Sequence, residues 1–226
     1  DNYKRYNLRG KINIDLKSWL SLYNNSEFDE GHYDSPNTYV NKSGNNVYRY
    51  LSLFANPYEA IKTANDNWTQ AGALTFGELQ DGGRSNTVNR IIRNTTGLQL
   101  KLFKDKLHIN GDYTVSYNQI NGDVQSLGVS YENKPNALTT YPNPDYYQSS
   151  YEQVFHSVAN LYAEYKQSFG KHELTLLGGA SRELNQDHLF NAYRENNITS
   201  SLGSLNLTTG AAKVGDLKET WALESL

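Results

Sequence analysis

The chain has 226 residues, a formal net charge of −3 and 37% hydrophobic residues. No run of about 20 apolar residues exists, which excludes transmembrane helices, and the charge balance excludes the basic field that nucleic-acid binding requires. The absence of cysteine excludes a disulfide framework, a thiolate metal site and a thiol nucleophile. The same polar composition suits a membrane β-barrel, where only alternate residues of each strand must be apolar. Tyrosine is abundant, at 18 against 7 Phe and 3 Trp, which fits antiparallel sheet, an interfacial aromatic belt or a sugar-binding surface.

Residues 6–16 alternate strictly. Tyr6, Leu8, Gly10, Ile12, Ile14 and Leu16 share one face; Asn7, Arg9, Lys11, Asn13 and Asp15 share the other. Successive side chains of a strand point to opposite sides, so this stretch predicts a strand with one apolar and one polar surface. A short turn at 17–19 leads into a second strand over about 20–28. Residues 29–85 lose periodicity, and within them only 57–68 (PYEAIKTANDNW) reads as helical, with Pro57 in the first turn. A second hairpin covers about 88–118. Its centre, 98–117 (LQLKLFKDKLHINGDYTVSY), carries Leu98, Leu100 and Leu102, then Leu107, Ile109, Gly111, Tyr113, Val115 and Tyr117, on one face across a turn at Lys104-Asp105-Lys106. Residues 119–153 are polar, with Pro135, Pro142 and Pro144. A third hairpin spans 154–169 and 172–183 around Gly170-Lys171, with Leu177 interrupting its second arm. Residues 184–218 read as loop and 219–226 as the start of a seventh strand.

Every hairpin turn is short, and every link between hairpins is long. In an up-and-down sheet, this places all short turns at one end and all long loops at the other. Compact soluble domains rarely carry several structureless loops longer than ~15 residues, whereas outer-membrane barrels do. The expected fold is all-β: antiparallel up-and-down strands forming part of a transmembrane β-barrel. On this reading residues 1–226 are one partial barrel domain, with 29–85, 119–153 and 184–218 as long extracellular loops. A soluble sandwich with inserted loops is the alternative. The two differ in the band across the middle of the strands, which must be uncharged if it faces lipid. Arg90 fits such a band only at its interface. Both ends of the chain fall in alternating sequence, so it reads as a piece of a longer protein.

Five stretches carry a family resemblance: YNLRGKINIDLKSWLSLYNN (6–25), NRIIRNTTGLQLKLFKDKLHINGDY (89–113), NLYAEYKQSFGKHELTLLGGASRE (160–183), SLGSLNLTTG (201–210) and KETWALESL (218–226). In order and spacing they resemble the barrel of SusC/RagA-type TonB-linked outer-membrane proteins (TonB-dependent receptors) of Bacteroidetes. The resemblance implies a parent barrel of about 22 antiparallel strands, of which about seven are present. It also implies a plug inside the barrel, coupling to the TonB complex through an N-terminal region absent here, and pairing with a SusD-like surface lipoprotein. The implied function is import of oligosaccharides or peptides across the bacterial outer membrane, with outer-membrane lipid as surroundings and no cofactor.

No catalytic signature is present, and the chain is expected not to be an enzyme. The histidines His32, His108, His156, His172 and His188 lack ligand spacing. Asn65-Asp66-Asn67 lacks the Gly and distal Glu of a calcium loop and reads as a turn or helix end. Adjacent Asp29 and Glu30 do not make an acid/base pair across a bond, and Gly82-Gly83 reads as a turn. The candidate ligand-binding residues are aromatics of the loops: Tyr58, Trp68, Tyr141, Tyr146, Tyr147 and Tyr151. These either stack on sugar rings, meet the lipoprotein or pack the loops together. If the apolar face meets lipid, Arg9, Lys11, Asp15, Arg93, Lys101, Asp112, Glu164 and Lys166 point into the lumen, toward plug, neighbouring charges or solute. Trp19 and Phe103, beside short turns, fit a periplasmic-side aromatic girdle.

Overall fold

The computed structural model describes residues 2–37, 51–52, 55–140 and 145–226. Period-two sequence produces seven long strands in one antiparallel sheet: β1 (Asn2–Lys17), β2 (Leu20–Pro36), β3 (Gly83–Leu102), β4 (Leu107–Ser126), β7 (Tyr146–Phe169), β8 (His172–Glu195) and β9 (Lys213–Ser225). Their spatial order is their chain order, an up-and-down meander. A separate hairpin, β5 (Ser130–Lys134) with β6 (Ala137–Thr140), stands in the link between β4 and β7.

Directly opposed residues in a ladder share a face, so the register defines both surfaces. Leu8, Phe28, Ile92, Tyr117 and Phe155 form one row of the apolar face, and Ile14, Leu22, Leu98, Gly111, Leu161 and Ala180 form another. The polar face has rows such as Arg9, Glu27, Arg93, Ser116, His156 and Asn185. Leu177 falls on the polar face without breaking β8. Within the apolar face, Asn24, Ser26, Asn94 and Thr96 are bonded to one another, Asn24 Nδ2 donating to Thr96 Oγ1 at 2.7 Å and Asn94 Nδ2 to Ser26 Oγ at 2.8 Å. Their polarity is therefore largely satisfied within the patch.

The turns are staggered. Leu20, next to the first turn, pairs with Leu100, yet β3 continues to Leu102; Leu107 pairs with Tyr165, yet β7 continues to Phe169. Such stagger is the register shift of strands tilted in a barrel wall. It also explains the ion pair of Arg182 with Glu224, at 3.3 Å on the apolar face. Arg182 lies as far along β8 from His172 as Ile92 lies along β3 from Leu102. It therefore marks the loop-ward edge of the apolar face, as Arg90 does one row beyond Ile92.

Nothing in the described residues covers the apolar face: Leu8 is 71% exposed and Leu176 56%. Among the described residues the buried hydrophobics are Ala73, Val129, Tyr131 and Ala192, and the first three form one cluster with Trp68 in the links. A soluble sandwich would bury the sheet's apolar face instead.

Two expectations change. Residues 57–68 are not helical; the helix lies over Gln70–Gly72, Ala73–Gly77 (a π-turn segment) and Glu78–Asp81, here α1. The Asn-Asp-Asn sequence turns the chain back, with Asp66 at φ 61° and a bridge between Lys62 and Trp68, and Thr69 then caps the helix by accepting from the Gly72 N–H. The strands also run further than the alternation suggests, so the links shrink to 37–82, 127–145 and 196–212. Beyond the apolar face both surfaces are polar, and the period-two signal disappears although the ladder continues.

Gly83 opens β3 at φ 94°, and a Cβ there would sit 2.0 Å from the Gln125 carbonyl oxygen. Gly83→Ala is expected to destabilise the folded protein by about 1–3 kcal/mol. Gly10→Ala, with nothing within 4 Å, is expected to be close to neutral. Urea midpoints of the two variants check this.

Candidate functional site

The links build a packed cap at one end of the sheet. In α1, Thr69 starts the helix and Gly72 lies against the Ile61 carbonyl, where a Cβ would come within 2.0 Å. The π segment turns Ala73 and Gly77 inward, and Gly77 meets Val129 and the Trp68 ring. Trp68 is fixed on several sides. Its Nε1 donates to Asp81 at 2.9 Å, the Lys62 ammonium lies 3.6 Å from its ring centroid, and its carbonyl accepts from the Glu132 N–H at 2.8 Å.

Glu132, on β5, is the hub of this cap. Its carboxylate accepts from Thr63 Oγ1 (2.6 Å), Asn65 Nδ2 (3.0 Å), Asn67 Nδ2 (3.1 Å) and the Asn136 N–H (2.7 Å). These donors, led by Thr63, hold its carboxyl down at about 2. The Asn-Asp-Asn turn is thereby tied to the β5–β6 hairpin. A third link joins through Gln125 Nε2, which donates to the Thr199 carbonyl at 3.4 Å, and through Asn197 Nδ2, which donates to the Ser126 carbonyl at 3.2 Å. Arg194 holds the remainder of that link, donating to the carbonyls of Gly210 (2.9 Å) and Leu205 (3.0 Å).

The three links surround a cavity of about 860 Å³. Its charged lining has both signs, Lys62 and Arg84 against Asp66, Asp81 and Asp145, and its amides include Gln80, Gln125 and Asn197. Arg84 is engaged by Asp34 (2.8 Å) and Asp81 by Trp68; the Asp66 carboxylate has no partner among the described residues. Trp68, with Lys62 over its ring, also lines the cavity, together with the apolar Leu138 and Ile198. Such a surface presents amides and charges of both signs.

Of the six loop aromatics, Tyr141 lies outside the described residues. Among the other five only Trp68 lines the cavity. Tyr58 is 94% exposed. Tyr146 packs on Tyr193 with centroids 4.9 Å apart, and Tyr147 lies against Gly203, where a Cβ would meet its ring at 2.6 Å. Tyr151 stands on the same side of the sheet as Leu8, edge-on to His188 at 5.9 Å. The structure does not bring these residues together.

Arg9, Lys11, Asp15, Arg93, Lys101, Asp112, Glu164 and Lys166 do share one face, the polar one. Arg9 pairs with Glu27 at 2.7 Å, Asp15 accepts from Ser21 at 2.6 Å, Asp112 accepts from Asn160 at 3.0 Å, and Glu164 pairs with Lys166. Lys11, Arg93 and Lys101 have no side-chain partner among the described residues. Asp29 and Glu30 project to opposite faces, toward Arg5 and Arg90 respectively. Glu132, Lys62 and Asp81 are absent from the sequence-based set because their roles depend on contacts made only after the links fold together; Asn65-Asp66-Asn67 is the one local signal of them.

Solved structures resemble this fold, among them those of a peptide transporter. The RagAB peptide transporter matches at a TM-score of 0.70 and 16% identity, over 97% of this chain and 25% of that one. The RagAB peptide importer matches in its closed-closed state (0.65, 15%, 97% and 25%) and in its open-open state (0.68, 16%, 98% and 24%). This chain therefore spans about a quarter of the length of the chains it matches. No protein-family model and no curated protein sequence matches it. At this identity the likeness is one of fold, and the neighbours are named as transporters, not enzymes.

The Glu132 carboxyl lies below its ordinary value of 4.5, so its tie stabilises the cap fully above that value and is lost as pH falls toward about 2. Hydrogen exchange of residues 61–69, corrected for intrinsic rates, is expected to accelerate through this window. Glu132→Gln is expected to exchange fast already at neutral pH and to lose the pH dependence. A flat wild-type profile would contradict the assignment.

Proposed function

We propose that this chain is a stretch of the wall of an outer-membrane importer, with its apolar face in lipid, its polar face toward the lumen and its links at the extracellular mouth. The observation that carries this reading is the uncovered apolar face on staggered strands whose long links all lie at one end. Along β3 the face runs from Leu102 to Ile92; at a strand rise of about 3.3 Å per residue and a barrel tilt, this gives a band roughly 25 Å tall, the height a bilayer requires. Its charges, Arg90 and Arg182, stand at the loop-ward edge and are each paired. The family resemblance and the RagAB fold likeness point the same way.

The substrate class is peptide. Two features support it: the fold neighbours are named peptide importers, and the cavity offers amides and charges of both signs while the Trp68 ring is covered by Lys62 and the cap core. A sugar ring requires an open aromatic face for CH–π stacking. A SusD-like lipoprotein over the mouth, a plug in the lumen and TonB coupling complete the reading as the resemblance implies. A soluble carbohydrate-binding module is the weaker reading, because its sheet would need a cover and its aromatics would need to converge.

Substitution separates the two faces. In the full-length protein folded into lipid vesicles, Leu98→Arg is expected to cost about 2–4 kcal/mol, as lipid-facing Arg does near midplane. Gln99→Arg on the polar face is expected to stay within about 0.5 kcal/mol. Equal costs would remove lipid from the apolar side. Deletion of the gene is expected to abolish uptake of labelled oligopeptides and leave oligosaccharide uptake intact; the reverse result restores the glycan assignment.

A further inference from the structure

The loop-ward edge of the apolar face carries an uneven distribution of charge. On β2 and β3, Glu30 accepts from Arg90 Nε and is bonded to His32 Nε2, both at 2.5 Å. Asp34 accepts from Arg84 Nε at 2.8 Å. Each carboxylate in this corner is thus taken by its own arginine. Lys4 stands directly opposite His32 in the register, and its ammonium has no partner among the described residues. The positive charge of Lys4 is left over, beside the His32 imidazole.

A cleft of about 450 Å³ opens at this point, between Lys4 and Tyr6 on β1, His32 and the Arg84-bound Asp34 on β2, and Asn86 and Val88 on β3. It lies on the same face as Leu8, Phe28 and Ile92, which form the second row below Lys4. A molecule with an anionic head in the cleft therefore has its apolar part directed along the exposed band. Tyr6, 57% exposed, stands between the two, with its ring edge-on to His32 at 6.4 Å.

We infer that this cleft binds the phosphorylated headgroup of an outer-leaflet lipid, with the phosphate on Lys4 and His32 and the acyl chains along the Leu8–Ile92 row. Asn2 and Asn86 supply amides for sugar or glycerol hydroxyls beside the phosphate. The inference rests on the outer-membrane reading above. It adds a headgroup-specific site to what a generic membrane interface would provide: the cation is placed in a concave setting, and competing carboxylates are already neutralised.

The test uses the full-length protein extracted from outer membranes, with lipid retention read by native mass spectrometry against added lipid A in phosphorylated and dephosphorylated forms. Fractionation is read first. A wild-type protein recovered outside the membrane fraction overturns the importer reading and this site with it. For protein in the membrane fraction, Lys4→Glu is expected to reduce retention of phosphorylated lipid at least about fivefold, the worth of one interfacial cation. Lys4→Arg is expected to retain it, and the dephosphorylated lipid is expected to be indifferent to both. Lys218→Glu, which removes another unpartnered cation on the same face of β9, is expected to leave retention unchanged. An equal loss from Lys4→Glu and Lys218→Glu, or no loss from Lys4→Glu, overturns the site while leaving the importer reading in place.

Discussion

The backbone ladder joining seven strands in antiparallel register is the constraint on which the rest of this chain depends. Once residues are opposed in pairs, every side chain has an assigned face, and a slip of one residue would exchange the two surfaces completely. The rows through Leu8 and through Arg9 are neighbours along the same strands, yet one holds Phe28, Ile92 and Tyr117 and the other Glu27, Arg93 and Ser116. The sheet has no interior of its own, so its solvent on each side replaces the core of an ordinary domain.

Among the described residues, the hydrophobic cluster lies beyond the end of the ladder. There the helix α1, the β5–β6 hairpin and the Asn-Asp-Asn turn close around Ala73, Val129 and Trp68. Polar ties, with Glu132 at their centre, hold segments that are distant in sequence. On the importer reading proposed above, this division of labour follows from the surroundings. Water surrounds the cap, so the loops must stabilise one another, whereas the strands need only their neighbours and the surrounding medium.

Much of this was legible in the residues. The strict alternation at Tyr6 to Leu16 and the three short turns give the meander, its hairpins and both faces, because a strand's period of two is written directly in side-chain polarity. Legibility stopped where that code stopped. Glu30, His32 and Asp34 continue β2 above the apolar band, but their opposite face holds Asp29, Gly31 and Tyr33, so no contrast marks the strand. Residues 57–68 carry helix-forming Glu59, Ala60 and Lys62, and tertiary contacts of Trp68 together with the turn at Asp66 prevail over that local tendency. The fixed ring of Trp68 was unreadable for the same reason: Lys62, Asp81 and Val129 meet it only after three links have folded. An abundance of loop tyrosine suggested a convergent surface, and Tyr147 and Tyr151 instead occupy the side of the sheet opposite Tyr146.

The short turns at one end of the sheet also set an order of assembly. Closing a loop costs entropy that grows with the logarithm of its length, about 0.6 kcal/mol for each doubling. The pairs β1–β2, β3–β4 and β7–β8 close over turns of a few residues, whereas β2–β3 must span the whole of 37–82. The hairpins are therefore the units that form cheaply, each already amphipathic, and the long links are the slow step by which one unit finds the next. The cap, whose ties join residues of separate links, depends on contacts between those modules rather than within one.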